Sequence, residues 1–137
     1  MSARVTSFDL TSQLVVVPGE MWGPRGERRG VNLIVDTGAA MTTIKPHVLD
    51  ELGYSPRMGE YIARVNSVVG TEHTYTLCVD RFGALGFGFR RFLVNAAELS
   101  THPDIQGLIG IDFLRQFDCT FQFSTGAIVL DPIAGRT

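Results

Sequence analysis

An all-β domain is the fold class that three features of this 137-residue sequence predict. Apolar residues come in short runs broken by Gly, Pro, Asn and Asp, which reads as strands joined by tight turns. Glycine holds 15 positions, about 11% against a usual figure near 7%. Nine phenylalanines stand beside many Val, Ile and Thr, the residues that suit a pleated surface. Eight or nine short strands and two short helices follow from the pattern.

In chain order, Leu14 to Val17 is an apolar run ended by Pro18-Gly19, and a Gly-rich polar turn, 23–30, leads to the next run, Val31 to Val35. That arrangement is a hairpin. Met41 to Ile44 holds three β-branched residues and suits a short strand. A helix is expected next: Pro46 fits its first position, Val48, Leu49 and Leu52 share one face, and Gly53 supplies a left-handed end. Tyr61 to Val65 and Thr74 to Val79 read as a long hairpin around the turn 66–71, with Tyr75, Leu77 and Val79 alternating against Thr74, Thr76 and Cys78. Phe82 to Leu85 and Phe87 to Val94 are two further strands. Ser100 to Asp104 is loop, Ile111 to Phe117 offers one or two helical turns, and Thr120 to Phe123 and Ile128 to Leu130 flank a turn at 124–126.

Length and charge narrow the partners. A chain of this size makes one domain, 1–137, with enough core to stand without a disulfide or structural metal. Twelve basic against 14 acidic residues give a net charge of -2, no overall footprint for nucleic acid or an anionic membrane. Two cysteines, Cys78 and Cys119, make no disulfide framework, and both read as buried thiols. His47, His73 and His102 lie 26 and 29 residues apart, a spacing no metal motif uses, and the glycines between 83 and 88 lack the spacing and following helix of a dinucleotide loop. No metal and no cofactor is expected. The amino terminus shows no apolar leader segment and no downstream run is long enough to span a bilayer, so a cytoplasmic location is the default expectation, and a soluble domain excised from an anchored protein would read the same.

One element stands out chemically. Asp36 directly follows the apolar run 31–35 and is itself followed by Thr37 and Gly38. Asp-Thr-Gly is also good turn chemistry, since Asp caps its own backbone and Gly tolerates positive φ. A second piece lies downstream: Leu108, Ile109 and Gly110, then Ile111, Asp112 and a short helical stretch. An apolar strand into Asp-Thr-Gly, a long hairpin, and an apolar-apolar-Gly segment before a helix, in that order over residues 14–130, together resemble the retropepsins, the retroviral-type aspartic proteases. A bacterial or cellular single-domain member is what the pattern is most similar to.

The resemblance implies a closed β-barrel forming a single lobe of the acid-protease fold, with a flap hairpin and one or two short helices. It implies an aspartic endopeptidase acting on a peptide or protein substrate. Asp36 would be the catalytic carboxylate and Thr37 would hydrogen-bond across a dimer axis. Leu108, Ile109 and Gly110 would support the catalytic loop. Gly38, Ala39 and Ala40, with flap residues Asn66, Ser67, Val68, Val69 and the pivot Gly70, would bind substrate.

Elementary chemistry adds a constraint. Hydrolysis by carboxylate and water needs one group to take a proton and a second, protonated group to polarise the carbonyl. The chain has one Asp-Thr-Gly and is too short for two lobes, so the second carboxylate is expected from a second copy, as a homodimer. The two carboxyl groups would share a proton, favouring acidic to mildly acidic conditions.

Two departures from the family bear on assembly. Ala40 and Ile111 stand where the retroviral members typically carry an Asp and an Arg that pair near the interface. Losing both charges together is close to neutral for the fold. The terminal hairpin of 119–123 and 128–130 is then expected to build the dimer sheet. A catalytically silent dimerisation or peptide-binding module of the same fold is the alternative, and a small barrel binding an apolar ligand through Phe87, Phe89 and Phe92 is a third reading. At alternating spacing those rings are more simply core.

Overall fold

The structure, a computed structural model, describes residues 2–59, 61–67, 70–99 and 102–135. In chain order the elements are β1 (Arg4–Ser7), β2 (Val16–Trp22), β3 (Arg28–Val35), β4 (Thr43–Ile44), α1 (Pro46–Glu51), β5 (Tyr61–Ser67), β6 (Gly70–Ala84), β7 (Phe87–Ala96), β8 (Gly107–Ile109), α2 (Ile111–Leu114), β9 (Phe117–Gln122) and β10 (Ala127–Pro132).

Strands β2, β3, β8, β4, β7 and β6 are neighbours in that order, and β6 returns to pair with β2, closing a barrel of six strands. Closure depends on the length of β6. Its first part, 70–76, pairs with β5 to make the long hairpin, and its last part, Arg81 to Ala84, pairs with β2. The sequence divides this stretch into two strands; the backbone runs through as one because each part finds its own partner. The interior is filled by Val17, Met21, Leu33, Ile44, Leu77, Val79, Phe82, Ile109 and Phe113, with Val48 and Leu49 of α1 packed against it. Phe87, Phe89 and Phe92 pack with Phe82, Phe113 and Phe117 at centroid separations of 4.6–6.2 Å, so these rings are packing material.

A second, three-stranded sheet runs β1, β10, β9. The terminal hairpin is present as expected, but β1 is an addition: the polar Arg4–Ser7 shows no apolar run, and it forms because β10 offers it a ladder. Two other expectations are corrected. β2 continues through Pro18-Gly19 to Trp22, because its pairing with β6 begins only at Gly19, so the missing Pro18 N–H interrupts no ladder. Cys119 is exposed, since β9 is an edge strand, and Cys78 is half-buried. Burial of its surroundings, followed by the neighbouring Asp118, still pushes the Cys119 thiol up.

The helix α1 begins at Pro46, buries Val48 and Leu49, and is followed by Gly53 at φ 98°, the left-handed residue that lets the chain turn back. It delivers Tyr54 to an irregular point in the barrel. Between the pairs Val79↔Phe92 and Arg81↔Arg90 the ladder is interrupted, Arg91 takes φ 53°, and both strands change the parity of the residues they turn inward. There the Asp80 N–H donates to Tyr54 Oη at 2.8 Å, and Tyr54 Oη donates to the Trp22 carbonyl at 2.7 Å. Burial raises the Tyr54 hydroxyl above its ordinary value, so it stays a donor throughout the neutral range.

Tyr54→Phe removes both bonds and leaves Asp80 N and the Trp22 carbonyl without this partner. We expect a loss of about 1–3 kcal/mol, read as a lower urea midpoint. An unchanged midpoint would contradict the role given to this hydroxyl.

Candidate active site

The candidate site is built where β3 leaves the barrel. Val35 is its last strand residue, and β8 lies parallel beside it through Leu33↔Gly107, Ile34↔Leu108 and Val35↔Ile109. β8 also pairs antiparallel with β4, so it threads between the strand entering the Asp36 loop and the strand leaving it. Gly107 is required for that insertion: a Cβ there would collide with the Thr43 carbonyl oxygen and Ile44 Cδ1. The connection into β8 is fixed by Gln106, whose Oε1 accepts from Asn32 N at 2.6 Å and whose N donates to the Asn32 carbonyl at 2.9 Å. Lys45, buried, donates its Nζ to the His102 carbonyl at 2.8 Å.

Backbone bonds then fix the loop. Asp36 N donates to the Ile109 carbonyl at 2.9 Å, Ala39 N to the Asp36 carbonyl at 3.3 Å, Ile111 N to the Ala39 carbonyl at 2.8 Å and Asp112 N to the Ala40 carbonyl at 3.2 Å. The Asp36 carboxylate is half-buried and its Oδ1 accepts from Gly38 N at 2.9 Å. A charge-assisted bond of this kind orients the carboxylate without occupying its other oxygen. Thr37 is exposed, and its hydroxyl has no partner among the described residues. Gly110 sits under the loop, where a Cβ would stand 2.6 Å from Met41 C and 2.9 Å from the Ala39 carbonyl oxygen.

A third contact is not evident from the motif alone. Asp112 Oδ1 accepts from Thr42 N at 2.9 Å, Thr42 Oγ1 at 2.8 Å and Phe113 N at 2.9 Å, while Gly110 N donates to Thr42 Oγ1 at 3.2 Å. Thr42 is fully buried, so one carboxylate pins the far end of the Asp36 loop to the start of α2. The available sequence signal is an acidic residue in a first helical turn, two positions after the glycine.

Beside the loop lies a cleft of about 400 Å³ lined by Ala39, Ala40, Met41, Thr43, Thr74, Thr76 and Asn95. Thr43, Asn95 and Thr76 form one row across β4, β7 and β6. Of the residues expected at the site, Asp36, Thr37, Gly38, Ala39 and Ala40 fall in one loop, with Ile109 and Gly110 directly against it. Leu108 is half-buried on the opposite face of β8. Asn66, Ser67 and Gly70 lie at the end of the β5–β6 hairpin through the pair Ser67↔Gly70, while Val68 and Val69 lie outside the described residues. Ala40 and Ile111 lie at this crossing, where Ile111 N donates to the Ala39 carbonyl and Asp112 N to the Ala40 carbonyl.

A strand–loop–strand unit threaded by a third strand, with a carboxylate at the tip of the loop and a long hairpin beside it, defines a retropepsin-like barrel. The family model for aspartyl proteases matches residues 17–113, and the chain belongs to that family. Among solved structures the fold is similar to a retropepsin-like aspartic protease from Rickettsia conorii, at 14% identity and a TM-score of 0.68, over 95% of this chain and 90% of that one. No curated protein sequence matches.

Replacing Gly110 by Ala forces apart two backbones in van der Waals contact. We expect Gly110→Ala to cost about 1–3 kcal/mol or more in a urea titration, and a variant as stable as the parent would show that the loop is not clamped there.

Proposed function

We propose that the chain is a homodimeric aspartic endopeptidase in which the Asp36 carboxylates of two copies hold and activate one water. The observation that carries this reading is the Asp36 loop itself: a half-buried carboxylate, oriented through one oxygen by Gly38 N, on a loop fixed by backbone bonds at both ends. One carboxylate of the pair would take the water's proton while the other, protonated, polarises the scissile carbonyl. Thr37, exposed and without a hydrogen-bond partner among the described residues, would bond across the two-fold axis. Gly38, Ala39 and Ala40 would line the substrate path, and the 66–71 end of the β5–β6 hairpin would close over it and exclude water. Leu108, Ile109 and Gly110 would act as support.

The surface offered to a second copy is the sheet of β1, β10 and β9. Val5, Leu10 and Phe123 belong to or flank it and are 68%, 52% and 61% exposed, which is unusual for large apolar side chains grouped in one region. β9 is an open edge, so it can pair with the same strand of a partner. Hydrogen exchange at working concentration should protect residues 119–130, and an interface to which they contribute nothing would contradict this assignment. With Ala40 and Ile111 uncharged, this sheet carries the burden of assembly.

Activity is tested directly with a peptide library across about pH 4 to 7. Turnover should be blocked by a statine-type inhibitor and fall by several orders of magnitude in Asp36→Asn. Turnover indifferent to Asp36→Asn would end the protease reading. A stable dimer without turnover on any peptide would assign the fold to a dimerisation or peptide-binding module.

A further inference from the structure

The outward face of β3, β2, β6 and β7 carries two adjacent cross-strand rows set by register. One is Arg28, Trp22, Arg81 and Arg90; the next is Gly30, Glu20, Gly83 and Gly88. Residues two apart on a strand share a face, so the second row presents a single side chain beside a basic, aromatic one. The missing side chains open a groove of about 620 Å³, whose lining includes Glu20, Trp22, Asn32, Arg81 and Phe87.

Backbone geometry does not demand these glycines. Gly30, Gly83 and Gly88 are not among the positive-φ residues; a Cβ at Gly30 would meet nothing within 4 Å, and at Gly83 and Gly88 its nearest neighbours would be 3.6 and 3.7 Å away. A strand interior gains from β-branched residues, and glycine there accompanies close approach by another backbone. The rim is strongly cationic. The Arg81 guanidinium lies over the Trp22 ring at 4.7 Å, Arg28 is 3.8 Å from Glu20, and Arg90 is exposed with no carboxylate at ion-pair distance among the described residues.

We propose that this groove docks an extended acidic segment of a partner protein, its main chain lying along the glycine trough and its carboxylates on Arg81 and Arg90. Guanidinium forks match carboxylates in a bidentate way. Glu20, within the trough, can accept from peptide N–H groups, donors that a phosphodiester backbone lacks, which favours a polypeptide over a nucleic acid. The glycine row meets β3 at Gly30, six residues before Asp36 and roughly 20 Å from it at about 3.3 Å per residue, so the row is separate from the Asp36 loop and its occupancy does not depend on catalysis.

Trp22 is the sole tryptophan and reports the site directly. The probe is a fluorescein-labelled decapeptide of alternating Glu and Gly, followed by anisotropy and, unlabelled, by Trp22 emission. Saturable binding is expected, weakened at least tenfold by Arg81→Gln with Arg90→Gln, and equally by filling the trough with Gly30→Val and Gly88→Val, variants whose urea midpoints should not fall. No saturable binding, binding unaffected by either pair of substitutions, or tighter binding of a Lys-Gly decapeptide or of polyphosphate would overturn the proposal.

Discussion

The position of Asp36 depends on one crossing: β8 inserted between β3 and β4. Once Gly107 admits β8 to that slot, the Ile109 carbonyl receives Asp36 N, the Ala39 carbonyl receives Ile111 N, and Gly110 fits beneath Met41. Each is a backbone contact, so the loop's shape is set by which strands are adjacent and by two glycines, and little by side-chain identity. Asp112 is the exception, one buried-side carboxylate that gathers three donors and ties the loop to α2. This explains how a chain at 14% identity to a solved structure can keep the same fold.

Much of the architecture was legible because local and global signals agree. Pro46 and Gly53 bracket α1, the alternation from Thr74 to Val79 marks β6, and Asp36-Thr37-Gly38 with Leu108-Ile109-Gly110 locates the two halves of the crossing. The features that escaped depend on partners distant in sequence. β1 has no apolar pattern and exists because β10 has a free edge. The continuity of β6 follows from β5 and β2 lying on successive parts of it. Cys119 reads as buried from its neighbours but sits on an edge strand. Asp112 reads as a helix-start residue until Thr42 is brought to it.

Charge gives a similar lesson. A net charge of -2 with mixed signs predicts no electrostatic footprint, but net charge is an average over the whole surface. Arg28, Arg81 and Arg90 are up to 62 residues apart in sequence and become neighbours only through the register of β3, β2, β6 and β7. Composition sums over the surface, whereas recognition depends on what a sheet sets side by side. The same arrangement leaves the barrel interior to phenylalanine packing and the outer wall free for another use.

Asp36 is one oriented carboxylate per chain, and the proposed hydrolysis requires two. The most direct measurement is the mass of the chain in solution by sedimentation equilibrium over a wide concentration range. The proposed homodimer predicts a reversible approach to the mass of two 15.0 kDa chains. A strict monomer at the highest concentration, accompanied by undiminished peptide cleavage, would contradict it.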